Sequence, residues 1–321
     1  MKLLEPNGWA KSVLRLFLCA GAATMLHGDT IVATYMAAGV ESVITSDTSK
    51  PALCGSSTEC WVGEETFTGV TLPTSTTGTF TTNFDSASDL FYSTGGLTAP
   101  ITGNYQLGSS DTGSPLTDHA ADQYGGAGGT GNYPELLDTA TSAESYTLTL
   151  TDTGLPGVNY FGLWVSALDA GNQIQFYDGA NLVYTLTPAA IEAAIGGCTK
   201  AGGFCGNPNT DTFYQQNPDQ QYVFLNFYDV TGYFTSITFT ETLAAPSSGF
   251  ETDNQTVAYL STITTIGTSL TPEPGSFGLL SLGTLALIGL RRRSARRCRI
   301  WLRLPVHKEC GRQRPPKRSD Y

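Results

Sequence analysis

Residues 174–186 read IQFYDGANLVYTL. Two short β-prone runs, Ile174–Tyr177 and Leu182–Leu186, flank Asp178-Gly179-Ala180-Asn181, a combination that predicts a hairpin with a short loop. The same signature continues outward in both directions. Upstream, Tyr146-Thr147-Leu148-Thr149-Leu150 alternates with period two, and Phe161–Leu168 (FGLWVSAL) is more continuously apolar. Downstream, Tyr222–Tyr228 (YVFLNFY) and Phe234–Thr240 (FTSITFT) are separated by Asp229–Tyr233, which reads as a second hairpin. Thr30–Tyr35 is placed to open a sheet and Val257–Ile263 to close it. One helix interrupts this pattern. Thr187 can cap it, Pro188 suits its first turn, Ala189–Ile195 continues it, and Gly196-Gly197 stops it.

Residues 66–133 are rich in Thr, Ser and Gly, with scattered aromatics at Phe67, Phe80, Phe84, Phe91, Tyr92 and Tyr105. They read as short strands and long loops. Many short strands joined by Gly/Pro turns define an all-β class, a β-sandwich or jelly roll. No repeat of 20–50 residues is visible, which disfavours a solenoid or propeller. The expected organisation is a signal peptide over 1–28, an exported all-β domain over 29–263, a stalk over 264–271, a membrane-directed signal over 272–297 and a basic tail over 298–321.

Charge divides the chain in the same way. Between Gly28 and Leu290 there are 25 acidic residues and two basic ones, Lys50 and Lys200, a balance of −23. The leader carries +2 and the segment after Leu290 carries +10, which brings the whole chain to −11. Such a body is soluble and self-repelling, and a poor binder of nucleic acid or anionic membrane. Cysteines agree with export. The body holds two close pairs, Cys54/Cys60 and Cys198/Cys205, which in an oxidising compartment read as local disulfides. A four-cysteine metal site is the competing reading, but its usual spacing of two to four intervening residues is not met.

Both termini carry targeting features. Lys2, Lys11 and Arg15 precede the apolar run from Leu16 to Ala23, the order of a secretory signal peptide. At the other end, Pro272-Glu273-Pro274 leads into an uncharged, Leu-rich run from Gly275 to Leu290, followed by Arg291-Arg292-Arg293. As a helix, that run covers about 24 Å, slightly short of a ~30 Å hydrocarbon core. The arginines behind it read as a cytoplasmic stop. These three parts in this order resemble the PEP-CTERM sorting signal of exosortase-processed bacterial surface proteins. The resemblance implies that exosortase is a partner and that the chain is its substrate. It also implies passage through the export machinery and the inner membrane. Catalytic groups for processing then belong to the exosortase. The chain departs from the family pattern by continuing to Tyr321, which reads either as a cytoplasmic tail or as a read-through end.

A second resemblance covers roughly 145–260. Asp169-Ala170-Gly171-Asn172, Ile174–Gly179, Gly206-Asn207-Pro208-Asn209, Tyr222–Tyr228 and Gly249-Phe250-Glu251-Thr252-Asp253-Asn254 look like the body of one family of exosortase-dependent surface proteins. It implies architecture and location, and no activity.

A search for chemistry finds little. His119 is the body's single histidine, with Asp118 and Asp122 as neighbours for a hydrolytic triad, and no Gly-x-Ser-x-Gly elbow accompanies it. Asp111-Thr112-Gly113-Ser114 and Asp152-Thr153-Gly154 resemble aspartic-protease loops in composition, but only 41 residues separate them. Glu251, Asp253 and Asn254, or Asp169 and Asn172, could offer oxygen ligands to Ca²⁺, although turn chemistry explains such residues equally well. Trp164, Tyr177, Tyr222 and Tyr228 could form a sugar-stacking platform, but at strand spacing they read more readily as core. The expectation is a non-enzymatic exported surface protein without a cofactor, associated with extracellular matrix or biofilm and with exopolysaccharide as a further partner. The alternatives are a carbohydrate-binding module and a secreted polysaccharide hydrolase.

Overall fold

In the computed structural model the described residues are 29–270, apart from 73–78, 86–88, 98–100, 109–115, 138–142, 199–202, 210–211 and 243–248. Their strands are β1 (Ile31–Tyr35), β2 (Cys60–Glu65), β3 (Thr79–Thr82), β4 (Leu90–Thr94), β5 (Ile101–Leu107), β6 (Leu116–Ala120), β7 (Asn132–Leu137), β8 (Glu144–Asp152), β9 (Tyr160–Ser166), β10 (Asn172–Asp178), β11 (Asn181–Leu186), β12 (Val223–Asp229), β13 (Ser236–Glu241), β14 (Gly249–Leu260) and β15 (Thr268–Ser269). One helix, α1 (Pro188–Ile195), joins β11 to the segment before β12. The strands form two antiparallel sheets packed as a sandwich. The larger runs β15-β1-β12-β9-β14-β2-β4, with β7 also pairing β14 and β6 pairing β7. The smaller runs β11-β10-β13-β8-β5-β3.

Hydrophobic periodicity explains which strand goes where. In β8 the buried positions are Glu144, Tyr146, Leu148 and Leu150, and Ser145, Thr147 and Thr149 between them are half-buried or exposed. The smaller sheet therefore has one packed face and one wet face. In β9 and β12 every residue is buried. Phe161, Leu163 and Val165 of β9, with Val223, Leu225 and Phe227 of β12, face the other sheet. Tyr160, Trp164, Phe224 and Tyr228 point the opposite way, into a second core with Val43, Ile44, Leu53 and Cys54 from the segment after β1. The larger sheet is thus covered on both faces, and a strand buried on both faces has no reason to alternate.

Between the sheets the contact is largely aromatic. The Phe176 ring lies 4.4 Å from that of Phe227, and the Phe161 ring lies 6.0 Å from that of Phe176 and 6.2 Å from that of Phe239, while within the smaller sheet Tyr146 stacks on Phe239 at 4.5 Å. Full burial of such a side chain contributes about 1.5–3 kcal/mol.

The β10–β11 hairpin forms as the sequence predicts. Asp178 pairs Asn181, and Gly179, at φ 57, supplies the left-handed turn residue. The second expected hairpin does not form. β12 pairs β1 and β9 in the larger sheet, whereas β13 pairs β10 and β8 in the smaller. Residues 230–235 therefore cross between layers. The cause is the difference in pattern: continuous apolar character takes β12 to the doubly covered sheet, and alternation takes β13 to the half-solvated one. β14 is likewise not a closing edge; it lies between β9 and β2.

Helix α1 begins after Thr187, but the Thr187 side chain makes no capping bond. It ends at Gly196 (φ 85), where the amides of Gly196 and Gly197 both donate to the Glu192 carbonyl. Buried Ile191 and Ile195 seat it in the inter-sheet core.

Both expected disulfides are present, with Cα–Cα separations of 5.8 Å for Cys54–Cys60 and 5.2 Å for Cys198–Cys205. Cys54–Cys60 is fully buried and ties the covering segment to the start of β2. Replacing Cys54 and Cys60 together by Ala is expected to lower the unfolding free energy by roughly 2–3 kcal/mol, the entropy a loop of this size adds to the unfolded chain. The urea midpoint of the double variant against the oxidised parent measures this.

Candidate functional site

The sorting residues Pro272, Glu273 and Pro274, the basic stop Arg291, Arg292 and Arg293, the apolar run 275–290 and the leader 1–28 all lie outside the described residues. Among the described residues no helix is long and apolar enough to cross a membrane.

The segment that delivers the chain to the motif is well defined, and it corrects the stalk expected over 264–271. Thr268 and Ser269 pair with Tyr35 and Thr34 of β1, and the Leu270 amide donates to the Ala33 carbonyl. The Thr34 hydroxyl donates to the Ile266 carbonyl, and the Ile266 amide donates to the Tyr228 hydroxyl. Leu270 is only 3 % exposed. The domain therefore continues through Leu270 rather than ending at Ile263. Ile266 and Leu270, set within a Thr/Ser-rich stretch, supply the apolar anchors that a composition-based reading overlooks.

A second concentration of functional-type groups is buried along β14 and β2. Glu64 is buried and accepts hydrogen bonds from the Thr256 hydroxyl at 2.8 Å and from Ser42. Burial, aided by the neighbouring Asp253 and Asp89 charges, raises its pKa to about 8. Asp253 accepts the amides of Ala127 and Asn254, each at 2.7 Å, yet burial still raises its pKa to about 8. Asn254 stands at φ 48 where the β14 register shifts, and its side-chain Nδ2 donates to the Glu41 carbonyl. Glu41 receives the Gly128 amide and is raised to about 7, again by burial. Glu65, beside Asp89, is raised to about 7 by burial and then by that charge. Further along, Glu251 of β14 sits directly opposite Glu135 of β7, and both are raised by burial. Like charges directly opposed across strands repel, and the Glu135 charge adds to the effect of burial at Glu251.

The residues singled out by sequence fall within this framework. Glu251, Asp253 and Asn254 do not converge; each is engaged by different protein groups. Asn172 accepts the Asp169 amide and donates to Glu241 and to the Gly249 carbonyl, so it acts as a turn and strand clamp. Among the described residues no group of three or more His, Cys, Asp and Glu is arranged to hold a metal ion. His119 contacts Glu135, at 2.8 Å from Nε2 to Oε2, rather than Asp118 or Asp122. Those two aspartates instead accept bonds from Asn132 and from Tyr124, Gly125 and Tyr133. Asp152 ends β8, and 111–114 lies outside the described residues. Trp164, Tyr222 and Tyr228 are core residues, each 2 % exposed or less. Glu41, Glu64, Glu65 and Glu135 were not legible as a buried set. The one hint is the Glu64-Glu65 pair ending the apolar run of β2.

Comparison with known proteins supplies the remaining finding. Residues 270–293 match the family model of the PEP-CTERM protein-sorting motif. The chain thus carries that motif, which implies an exported protein sorted by exosortase. No curated protein and no solved structure matches the chain.

Proposed function

We propose that this chain is a non-enzymatic surface protein, exported through its leader and processed by exosortase at Pro272-Glu273-Pro274, whose body serves the extracellular matrix or biofilm. The sorting motif at 270–293 is the observation that carries the reading. Two disulfides and a body with only two basic residues support an oxidising, extracytoplasmic destination. The apolar run and Arg291–Arg293 would hold the precursor in the inner membrane until cleavage. Replacing Pro272, Glu273 and Pro274 by Ala in a host with an exosortase is expected to leave a full-length, membrane-retained form. Fractionation and immunoblotting check this. Normal shortening and release of that variant would overturn the sorting assignment.

A further inference from the structure

A cleft of about 440 Å³ opens where the 230–235 crossover meets the end of β14. Its walls include Asn159, Asp229, Val230, Tyr233, Tyr259 and Ser261. The volume falls in the ~300–1,000 Å³ range of small-ligand sites. Its walls are rigidly built. The Asn159 side chain both donates to and accepts from the Leu260 backbone, at 2.9 Å each way. Asp229 Oδ1 accepts the amides of Thr231 and Gly232, which sets the turn carrying Tyr233. Phe234 bonds back to Val158, at 2.7 Å from amide to carbonyl.

Tyr233 is the feature that suggests a ligand. It is one of the few large apolar side chains left exposed, at 37 %. Its ring lies directly on Gly157, where an added Cβ would fall 2.3 Å from Cγ. The ring is therefore braced from behind by backbone while remaining open to solvent. Tyr259, from β14, borders the same space. The groups presented are an aromatic ring, two phenols and the hydroxyls of Thr231 and Ser261. Phenols and hydroxyls both donate and accept, and an aromatic face receives C–H groups.

The charges around the cleft restrict the ligand further. Among the described residues no basic one lines it. Asp29 and Asp229 both approach Gly232, with Asp29 Oδ1 2.7 Å and Asp229 Oδ2 3.0 Å from where a Cβ would stand. Asp229 Oδ2 is buried and has no hydrogen-bond partner among the described residues. Asp178 is close enough to act on both carboxylates, and Glu59 acts on Tyr259. An anionic ligand would meet this negative field without compensation. We propose that the cleft is a binding site for a neutral saccharide unit, stacked on Tyr233 and hydrogen-bonded by the surrounding hydroxyls.

This inference is independent of sorting, because glycan binding and processing are read separately. The test uses the full chain in a zwitterionic, sugar-free detergent. Cello-, malto-, manno- and N-acetylchito-hexaose are the neutral probes, with alginate oligomers as the anionic one, all by titration calorimetry. At least one neutral probe is expected to bind and alginate is not. Tyr233→Ala should weaken that binding by about tenfold or more, whereas Tyr233→Trp retains it, as expected when an aromatic face is removed or kept. Tyr214→Ala, an exposed tyrosine outside the cleft, should leave binding unchanged. Near-ultraviolet dichroism verifies that each variant is folded. Failure of all four neutral probes, preference for alginate, or undiminished binding by folded Tyr233→Ala would each overturn the proposal.

Discussion

Urea should unfold the body more easily at pH 8 than at pH 5. The cause is the set of carboxyl groups buried along β14 and β2. Glu64 is raised from 4.5, and Asp253 from 3.8, to about 8 in the folded state. Below the ordinary carboxyl range both states hold the proton, and the stabilisation from the raised pKa is fully present. As pH rises toward 8, the unfolded chain releases the proton first while the folded chain keeps it. Stability then falls by about 1.4 kcal/mol per pH unit for each such group and levels off above the folded pKa. For Glu64 and Asp253 the loss is on the order of 4 kcal/mol each across that window. Glu41 and Glu65, raised to about 7, steepen the early part of the decline. Glu64→Gln keeps the shape without the ionisation and should flatten the profile by one group's share. Urea midpoints at pH 5, 6, 7 and 8 measure both effects. A profile that stays level or climbs over this interval would show that these groups ionise as readily inside the fold as outside it.

Truncating Phe176 is the second large effect. This residue of β10 is fully buried and meets Phe161, Tyr184, Phe227 and Phe234, with ring centroids 4.4–6.0 Å away. Phe161 and Phe227 belong to the opposite sheet, so the ring fills the gap between the layers. Phe176→Ala is expected to cost about 3–5 kcal/mol through lost transfer energy and the cavity left behind. Leu182→Ala, in the paired strand β11 but 51 % exposed, should change stability by less than about 0.5 kcal/mol. The two urea midpoints together test whether the energetic weight of this hairpin lies on its inward face.

Local pattern carried much of this fold into the sequence. The alternation of β8 and β13, the turn at Gly179, the helix stop at Gly196 and both cysteine pairs are one-dimensional signals. Sheet membership is not. Whether Phe234–Thr240 pairs with its predecessor depends on how many faces of each strand find a cover, and the cover for β12 comes from Val43, Ile44 and Leu53, some 180 residues away in sequence. The interior carboxyls were hidden for a related reason. An acidic residue in a body with 25 of them reads as surface, and only tertiary pairing takes Glu64 or Glu251 inside. The sorting signal was legible because its three parts are contiguous. The cleft was not, because Tyr233 is an ordinary loop residue and Tyr259 an ordinary strand-end residue until the crossover brings them together.

The short strand β15 brings the paired part of the domain to within three residues of Pro272. Leu270 is buried against the domain, and Pro272 follows two residues later, a reach of at most about 7 Å. The pairing of β15 with β1 is thus the last described part of the fold before the label. A substitution that loosens the Tyr35–Thr268 pairing would change the yield of released protein without altering a single letter of the label.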